Sequence, residues 1–237
     1  MKSHLIRIIL DSRQHTVFTE IFRKSISGRK SIHQKIRSKT AKCDVGALKM
    51  KQAATLTERQ IKAVLAHCAI RKHAARDRAI VMTSFYAGLR AKEIAALTIG
   101  NVLSEDGSVK GECVLTASQT KGRSARRIFI NAKLQRELWQ YVKTLGITDR
   151  QSPLFTSQKQ GSFSANTMCQ LFLDIYKQCG LTGASSHSGR RTLITNLASR
   201  GVSVRVLAEI AGHSSISTTQ RYIDVNDQQM RAAVELL

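Results

Sequence analysis

Two histidines, an arginine and a tyrosine lie between residues 187 and 222, near the C-terminal end of the sequence. Arginine binds phosphate oxygens through its forked N–H donors, and a tyrosine held among such groups is a nucleophile for phosphate. His187 and Arg190 are three residues apart, so a helix would place them on one face. We therefore predict that His187, Arg190, His213 and Tyr222 form a site that binds and attacks a phosphate group.

Short helices separated by turns are predicted to position these four residues. Gly212, directly before His213, predicts the end of one helix, and Ser215 or Ser217 predicts the start of the next. The helix that ends at Gly212 is predicted to begin after Ser203 and to face inward with three apolar residues, Val206, Leu207 and Ile210.

Arg90 is a further candidate for binding an anion. It follows Gly88, which breaks a predicted helix over residues 74–87, and it begins the next predicted helix. At such a position an anion meets both the guanidinium charge and free backbone N–H groups. The alternative is a surface arginine that pairs with Glu93 three residues later.

Lys121 lies in a polar stretch between two predicted antiparallel strands, residues 112–116 and 126–130. Because Gly122 follows it, Lys121 is predicted to lie at or near the tip of a hairpin loop, where it can reach a bound ligand. The alternative is an ordinary solvated loop lysine.

Composition indicates a polyanionic partner. The chain has 237 residues, 42% of them apolar, with a formal net charge of +22 and an isoelectric point near 10.5. A chain this basic predicts binding to nucleic acid, whereas a membrane surface is the weaker alternative because no stretch approaches the length of a spanning helix. The apolar stretch at residues 5–10 is too short and too charged for a signal peptide, so a cytoplasmic location is expected.

Five scattered cysteines fit reduced thiols, and their spacing does not match a zinc site. They are Cys43, Cys68, Cys113, Cys169 and Cys179.

Basic residues are concentrated at the start of the chain. Residues 1–52 contain thirteen Lys or Arg and three acidic residues, a net charge of +10. Residues 1–52 are predicted to be an arm that neutralises DNA phosphates; the alternative is a solvated, disordered basic tail.

The remaining pattern predicts a mainly α fold with a small antiparallel β-sheet, an α+β class. Thr57 and Gln60 have the spacing of a capping box at the start of a helix, Asn131 and Ser164 precede two more predicted helices, and Gly201 ends the helix that follows His187. A final helix is predicted over residues 226–237, with Met230, Val234 and Leu237 apolar.

Five motifs, taken in order, resemble the tyrosine recombinases, the phage integrase family. They are Ala-Gly-Leu-Arg-Ala-Lys-Glu-Ile at 87–94, Thr-Lys-Gly at 120–122, His-Ser-Gly-Arg-Arg-Thr at 187–192, Gly-His-Ser-Ser at 212–215 and Thr-Thr-Gln-Arg-Tyr at 218–222. The resemblance runs from about residue 53 to 225. It implies the catalytic fold of that family over residues 53–237.

The resemblance also implies a role for each matched residue. Tyr222 would attack a DNA phosphate to give a 3′-phosphotyrosine intermediate, while Arg90 and Arg190 would hold the non-bridging oxygens. Lys121 would protonate the leaving 5′-oxygen, and His187 would assist proton transfer or position the phosphate. His213 would donate a hydrogen bond to the phosphate, and Glu93 would steady the pocket.

Neither a cofactor nor a metal is expected. Two arginines, a lysine and two histidines can neutralise a phosphodiester, and the phosphotyrosine bond conserves its energy without ATP. The partner implied by the resemblance is double-stranded DNA bound by a homotetramer, with no membrane and with accessory DNA-bending proteins left open. The implied process is DNA integration or another recombination of a mobile element, and the target site stays open because phosphate contacts carry no base information.

One departure from the family concerns the N-terminus. The family carries a full helical core-binding domain before the catalytic domain, and 52 residues are short for it, so residues 1–52 are either a basic arm or a truncated core-binding region. Three alternatives to recombination follow: a truncated remnant that binds DNA without recombining, a type IB topoisomerase that relaxes supercoils, and a basic structural protein.

Overall fold

In the computed structural model, the residues that can be described are 52–120, 124–146, 149–158, 161–223, 230–231 and 234–235. The predictions for the arm at residues 1–52, apart from Gln52, and for Lys121 lie outside these ranges. The predicted C-terminal helix over 226–237 also lies largely outside them, and of its apolar residues Met230 and Val234 are both exposed.

Helices dominate the described residues. In chain order they are α1 Glu58–Ala69, α2 Ala74–Ala87, α3 Ala91–Ala95, α4 Ile99–Val102, α5 Ala132–Lys143, α6 Ala165–Gln178, α7 Ser188–Ser199, α8 Val204–Ala211 and α9 Ile216–Gln220. Strands β1, Glu112–Leu115, and β2, Arg126–Phe129, lie between α4 and α5 and form a two-stranded antiparallel sheet. The predicted mainly α fold with a small antiparallel sheet is confirmed.

Local caps explain several of the helix boundaries. Thr57 and Gln60 form the predicted capping box at the start of α1, and the side chains of Asn131 and Ser164 accept backbone N–H groups at the starts of α5 and α6. Gly88 ends α2 with φ of 63°, a left-handed conformation that favours glycine.

Helix α2 lies at the centre of the fold and packs against α1, α5 and α7. Ten of its fourteen residues are buried, so neighbouring elements cover it on most sides. Because α7 carries the predicted site residue Arg190, packing on α2 places that residue against the turn at Gly88.

A second, smaller hydrophobic cluster lies between α7, α8 and the segment after α9. It contains buried Ile194, Leu207 and Ala211, and Tyr222 packs against it. The prediction that Val206 faces inward is wrong, because its side chain is 48% exposed. Leu207 is buried as predicted, and the other buried residues of α8 are Ala208 and Ala211. The buried face is therefore rotated by about one residue from the predicted face.

No helix within the described residues is long and apolar enough to cross a bilayer.

Candidate active site

Arg90 is the N-cap residue of α3 and binds its own helix and a distant turn. Its backbone N–H and its Nη1 donate to the two carboxylate oxygens of Glu93, each at 2.8 Å, and its Nη2 donates to the carbonyl oxygen of Gly212 at 3.2 Å. The predicted pairing with Glu93 is therefore present. It is not a surface pair, because the Glu93 side chain is fully buried.

Arg190 lies in the first turns of α7 and is 3% exposed. Its Nη1 donates to the carbonyl oxygen of Gly88 at 2.7 Å, and its Nη2 donates to the carbonyl oxygen of Ala211. Carbonyl oxygens orient the guanidinium without cancelling its charge, and they take two of its five N–H donors. Arg190 is thus held by the ends of α2 and α8.

Burial, assisted by the positive charges of Arg90 and Arg126, lowers the pKa of Arg190 to about 9. The group remains charged at neutral pH, and it is crowded by like charges. A bound anion would relieve both the desolvation and the repulsion.

His213 and Tyr222 lie side by side. Their rings are stacked with centroids 5.7 Å apart and 17° between the planes, and Nδ1 of His213 lies 2.8 Å from the hydroxyl oxygen of Thr219. Burial, together with the charges of Arg190, Arg90 and Arg126, lowers the pKa of His213 to about 4. The imidazole is therefore neutral at neutral pH.

Tyr222 follows α9 and is held through its backbone. Its N–H donates to the carbonyl oxygen of Thr219 at 2.9 Å, and its own carbonyl oxygen accepts from the hydroxyl of Thr195 at 3.2 Å. The guanidinium of Arg191 lies over its ring, 5.4 Å from the centroid. These contacts tie the tyrosine to α7 and α9.

His187 precedes α7 as its N-cap residue rather than lying within the helix, and it is exposed while Arg190 is buried. His187 nevertheless has helical backbone angles, and its carbonyl oxygen accepts the N–H of Arg191 at 2.9 Å, so both His187 and Arg190 belong to the N-terminal turn of α7. Lys121 is outside the described residues; the residues on either side of 121–123 are joined by a hydrogen bond from the Thr120 hydroxyl to the Ser124 carbonyl at 2.8 Å.

Two residues of this site were not predicted. Thr219, fully buried, binds His213 through its side chain and Tyr222 through its backbone. Arg126, at the start of β2, donates to Glu93 at 2.8 Å and to the carbonyl oxygen of Ile210 at 3.0 Å. A signal for Arg126 was present, since it alternates with buried Ile128 and so lies on the inward face of the strand.

Glu93 is the carboxylate that the arginines share. Burial by itself would raise its pKa, but the hydrogen bonds and charge of Arg126 and the hydrogen bonds from Arg90 outweigh burial and lower it. Arg90 and Arg126 are paired with this carboxylate, and the charge of Arg190 acts on the same group from nearby, so the site is net positive. Such an arrangement has the charge and the N–H donors that an oxyanion such as phosphate requires, and the Tyr222 ring lies beside His213.

Within the described residues, no group of three or more His, Cys, Asp or Glu side chains is arranged to hold a metal ion.

Comparisons with a family model and with known proteins point to the same family. The sequence model of the phage integrase family matches residues 54–229. The tyrosine recombinase XerA of Pyrococcus furiosus is 30% identical over 184 residues, which are 76% of this chain and 60% of that protein. The chain thus spans about three fifths of the length of this relative, and 44% of the length of the tyrosine recombinase XerC of Caldanaerobacter subterraneus.

Solved structures agree on the fold. A crystal structure of XerA recombinase superimposes with a TM-score of 0.64 at 24% identity, covering 78% of this chain and 65% of the other. The Tn1549 transposon integrase, solved in complex with a circular intermediate DNA, also has a TM-score of 0.64, at 20% identity, covering 80% of this chain and 67% of the other. Because the family match covers about three quarters of the 237 residues, and because relatives and fold agree with it, this chain belongs to the phage integrase family of tyrosine recombinases.

Proposed function

We propose that this protein is a site-specific DNA recombinase that cuts and rejoins DNA strands through a 3′-phosphotyrosine intermediate on Tyr222. The observation that carries the proposal is the meeting of Arg90, Arg190, His213 and Tyr222 around the turn at Gly212. The first and the last of these residues, Arg90 and Tyr222, are more than 130 positions apart in the sequence. Family membership and the net charge of +22 support DNA as the partner.

The pocket is suited to the charge that develops during phosphoryl transfer. Arg90 and Arg190 would each direct N–H donors to a non-bridging oxygen of the scissile phosphate. Both guanidiniums are already oriented by backbone carbonyls, so little reorganisation is needed when the phosphate binds.

His213 would act as a neutral hydrogen-bond donor. In the tautomer in which the Thr219 hydroxyl donates to Nδ1, the imidazole carries its proton on Nε2 and donates from there to a phosphate oxygen. The lowered pKa, about 4, keeps this form populated at neutral pH. The stack on Tyr222 would hold the donor beside the nucleophile.

The proposed reaction exchanges one phosphoester bond for another. The phenolic oxygen of Tyr222 bonds to phosphorus, with His187 assisting removal of its proton, and the bond from phosphorus to the 5′-oxygen breaks. Lys121 would protonate that oxygen, leaving a free 5′-hydroxyl. Attack by a 5′-hydroxyl of a second strand reverses the steps and releases Tyr222. Four chains acting on two duplexes would complete a strand exchange.

The test is a covalent adduct with DNA. The full chain is incubated with a nicked duplex taken from the DNA that flanks its gene, since the short fragment that carries the new 5′-hydroxyl is lost at the nick and the intermediate is trapped. A slowly migrating species on a denaturing gel, with the nucleotide mapped to Tyr222 by mass spectrometry, is the expected result.

Two tyrosine variants make this test specific. Tyr222→Phe should bind the duplex and give no adduct, whereas Tyr86→Phe, a partly buried tyrosine in α2, should give the wild-type amount. An adduct formed by Tyr222→Phe would assign the nucleophile elsewhere. Tight binding without an adduct in the wild type would instead indicate a remnant that holds DNA without cutting it.

A further inference from the structure

The Arg126 side chain joins two elements of the candidate site that are distant in the sequence. Its Nη2 donates to Glu93 Oε2 at 2.8 Å, and its Nη1 donates to the carbonyl oxygen of Ile210 at 3.0 Å. The side chain is 10% exposed. One planar guanidinium therefore connects strand β2 to α3 and to the C-terminal end of α8.

Through Glu93 this connection reaches Arg90. The fully buried carboxylate accepts from Arg126 on Oε2 and from the Arg90 side chain on Oε1. A buried carboxylate stays charged when cations are bonded to it, and removing one partner leaves the charge poorly compensated. The orientation of Arg90 thus depends on a carboxylate that Arg126 holds in place.

Through Ile210 the connection reaches the segment 210–213, which we call the His213 turn. Gly212 adopts φ of 56°, and a Cβ at that position would lie 2.7 Å from Cδ of Arg126. The N–H groups of Gly212 and His213 donate to Glu209 and Ala208, both at 2.9 Å. The turn that presents His213 is therefore packed directly on the Arg126 side chain.

The Nε of Arg126 is buried and has no hydrogen-bond partner among the described residues. Leaving such a donor unpaired costs on the order of 1–3 kcal/mol. Because this atom lies under Gly212, 3.2 Å from the position of a Cβ there, a ligand has no direct access to it. Nε therefore does not contact a phosphate, and the hydrogen bonds that Arg126 does make, to Glu93 and to Ile210, hold the geometry of its neighbours.

We infer that Arg126 is a positioning residue for the proposed strand cleavage: it fixes Arg90 through Glu93 and fixes His213 through the His213 turn. The inference rests on the proposed function for its effect on the reaction. Its structural part, the restraint on the turn, can be measured without DNA.

Arg127 provides a matched control. It is the next residue of the same strand and carries the same charge, but its side chain is 62% exposed and lies 3.7 Å from Glu112, on the other face of the strand. Changing Arg127 removes the same charge from the protein without touching Glu93 or the His213 turn.

The experiment compares Arg126→Met, Arg126→Lys and Arg127→Met in the full chain. The first readout is the rate of adduct formation on the nicked flanking duplex at saturating protein. Misplacement of catalytic groups by about 1 Å lowers rates by on the order of 100-fold, so we expect that loss for Arg126→Met relative to Arg127→Met. Arg126→Lys, which keeps the charge but not the planar fork, should give a rate between those of Arg126→Met and Arg127→Met.

The second readout is amide hydrogen exchange, followed by NMR in the absence of DNA. Exchange at Gly212 and His213 should accelerate in both Arg126 variants and not in Arg127→Met. Amides of α2 report global stability, which should fall in Arg126→Met because the buried Glu93 loses a partner, and the acceleration at Gly212 and His213 should exceed the change at the α2 amides. A residue that only stabilised the fold would change the α2 amides and leave the rate per folded molecule unaltered.

Three results would overturn the inference: equal adduct rates for Arg126→Met and Arg127→Met, a full wild-type rate for Arg126→Lys, or unchanged exchange at Gly212 and His213 in both Arg126 variants. If Arg126→Met fails to fold, the adduct rate and the amide exchange of Arg126→Lys test the inference in its place. If the wild type itself gives no adduct, the proposed function fails, and the exchange measurement alone decides whether Arg126 holds the turn.

Discussion

The imidazole of His213 lies nearly parallel to the phenol of Tyr222, 5.7 Å from centroid to centroid. Thr219 fixes both residues, since its hydroxyl contacts Nδ1 of His213 and its carbonyl oxygen accepts the backbone N–H of Tyr222. A single turn of α9 therefore sets the distance between the proposed hydrogen-bond donor and the proposed nucleophile.

The stability of the fold should depend on the protonation of His213. Its pKa is lowered to about 4 in the folded state by burial and by Arg190, Arg90 and Arg126, whereas an unfolded histidine titrates near 6.5. Between these values the unfolded chain binds a proton that the folded chain does not, so stability falls as pH decreases through this window. We expect this group to contribute a loss on the order of 2 kcal/mol, allowing for its partial exposure.

Urea unfolding at about pH 7 and about pH 4.5 measures this effect in the wild type and in His213→Gln. The variant lacks the titrating group, so it should lose less stability between the two pH values. An identical loss in both proteins would mean that His213 titrates normally in the folded state.

Arg190→Ala should lower the rate of strand cleavage by on the order of 100-fold or more while DNA affinity changes little, because the lost donors act mainly on charge that develops in the transition state. Arg200→Ala is the matched control, since Arg200 is an exposed residue at the C-terminal end of the same helix. Single-turnover adduct formation and a separate binding titration distinguish the two effects. Near wild-type cleavage by Arg190→Ala would remove Arg190 from the proposed phosphate site.

Helix boundaries were predictable because their signals are local. The capping box at Thr57, the glycine stop at Gly88 and the cap at Asn131 each act within four residues of the helix end they define. The two strands were predicted within one residue at their C-terminal ends. The four-residue helix α4 was missed, and its packing in the core, with Ile99 and Val102 buried, is a tertiary effect.

The sequence motifs predicted most residues of the candidate site, but they did not predict the hydrogen bonds that hold those residues in place. Resemblance assigned Arg90 and Arg190 to one phosphate, while nothing in the sequence indicated that Arg190 binds carbonyls at the ends of α2 and α8. Thr219 acts on His213, six positions away, whereas Arg126 acts on Glu93, 33 positions away, and such a distant partner is chosen by the fold. Long-range contacts of this kind have no signature in local spacing.

DNA binding should weaken steeply with salt, and residues 1–52 should carry part of that dependence. Each phosphate contact contributes about −0.9 to the slope of log affinity against log salt concentration on duplex DNA. Replacing Arg29 and Lys30 with glutamine should therefore reduce the slope by as much as about 1.8. Lys143 and Lys177, exposed in α5 and α6, give a control pair with the same charge change. Equal slopes for the two double variants would place the N-terminal basic residues away from the DNA backbone.

Gly212→Ala should disturb the site more than its backbone strain alone would. At φ of 56° an alanine is strained, and its Cβ would also lie 2.7 Å from Cδ of Arg126. Gly201, which follows α7 with φ of 83°, has no atom within 4 Å of its Cβ position, so Gly201→Ala carries the strain without the clash. We expect Gly201→Ala to lose about 1 kcal/mol of unfolding free energy and Gly212→Ala to lose about 2 kcal/mol or more.

The two alanine variants should also differ in adduct formation. Gly212→Ala moves His213 relative to Tyr222 and should slow the proposed cleavage per folded molecule, while Gly201→Ala should leave it at the wild-type rate. Chemical denaturation and single-turnover kinetics on the nicked duplex measure the two effects separately. Equal stability losses, with equal cleavage rates, would show that the Arg126 side chain moves away freely and that the turn is not packed tightly enough to position His213.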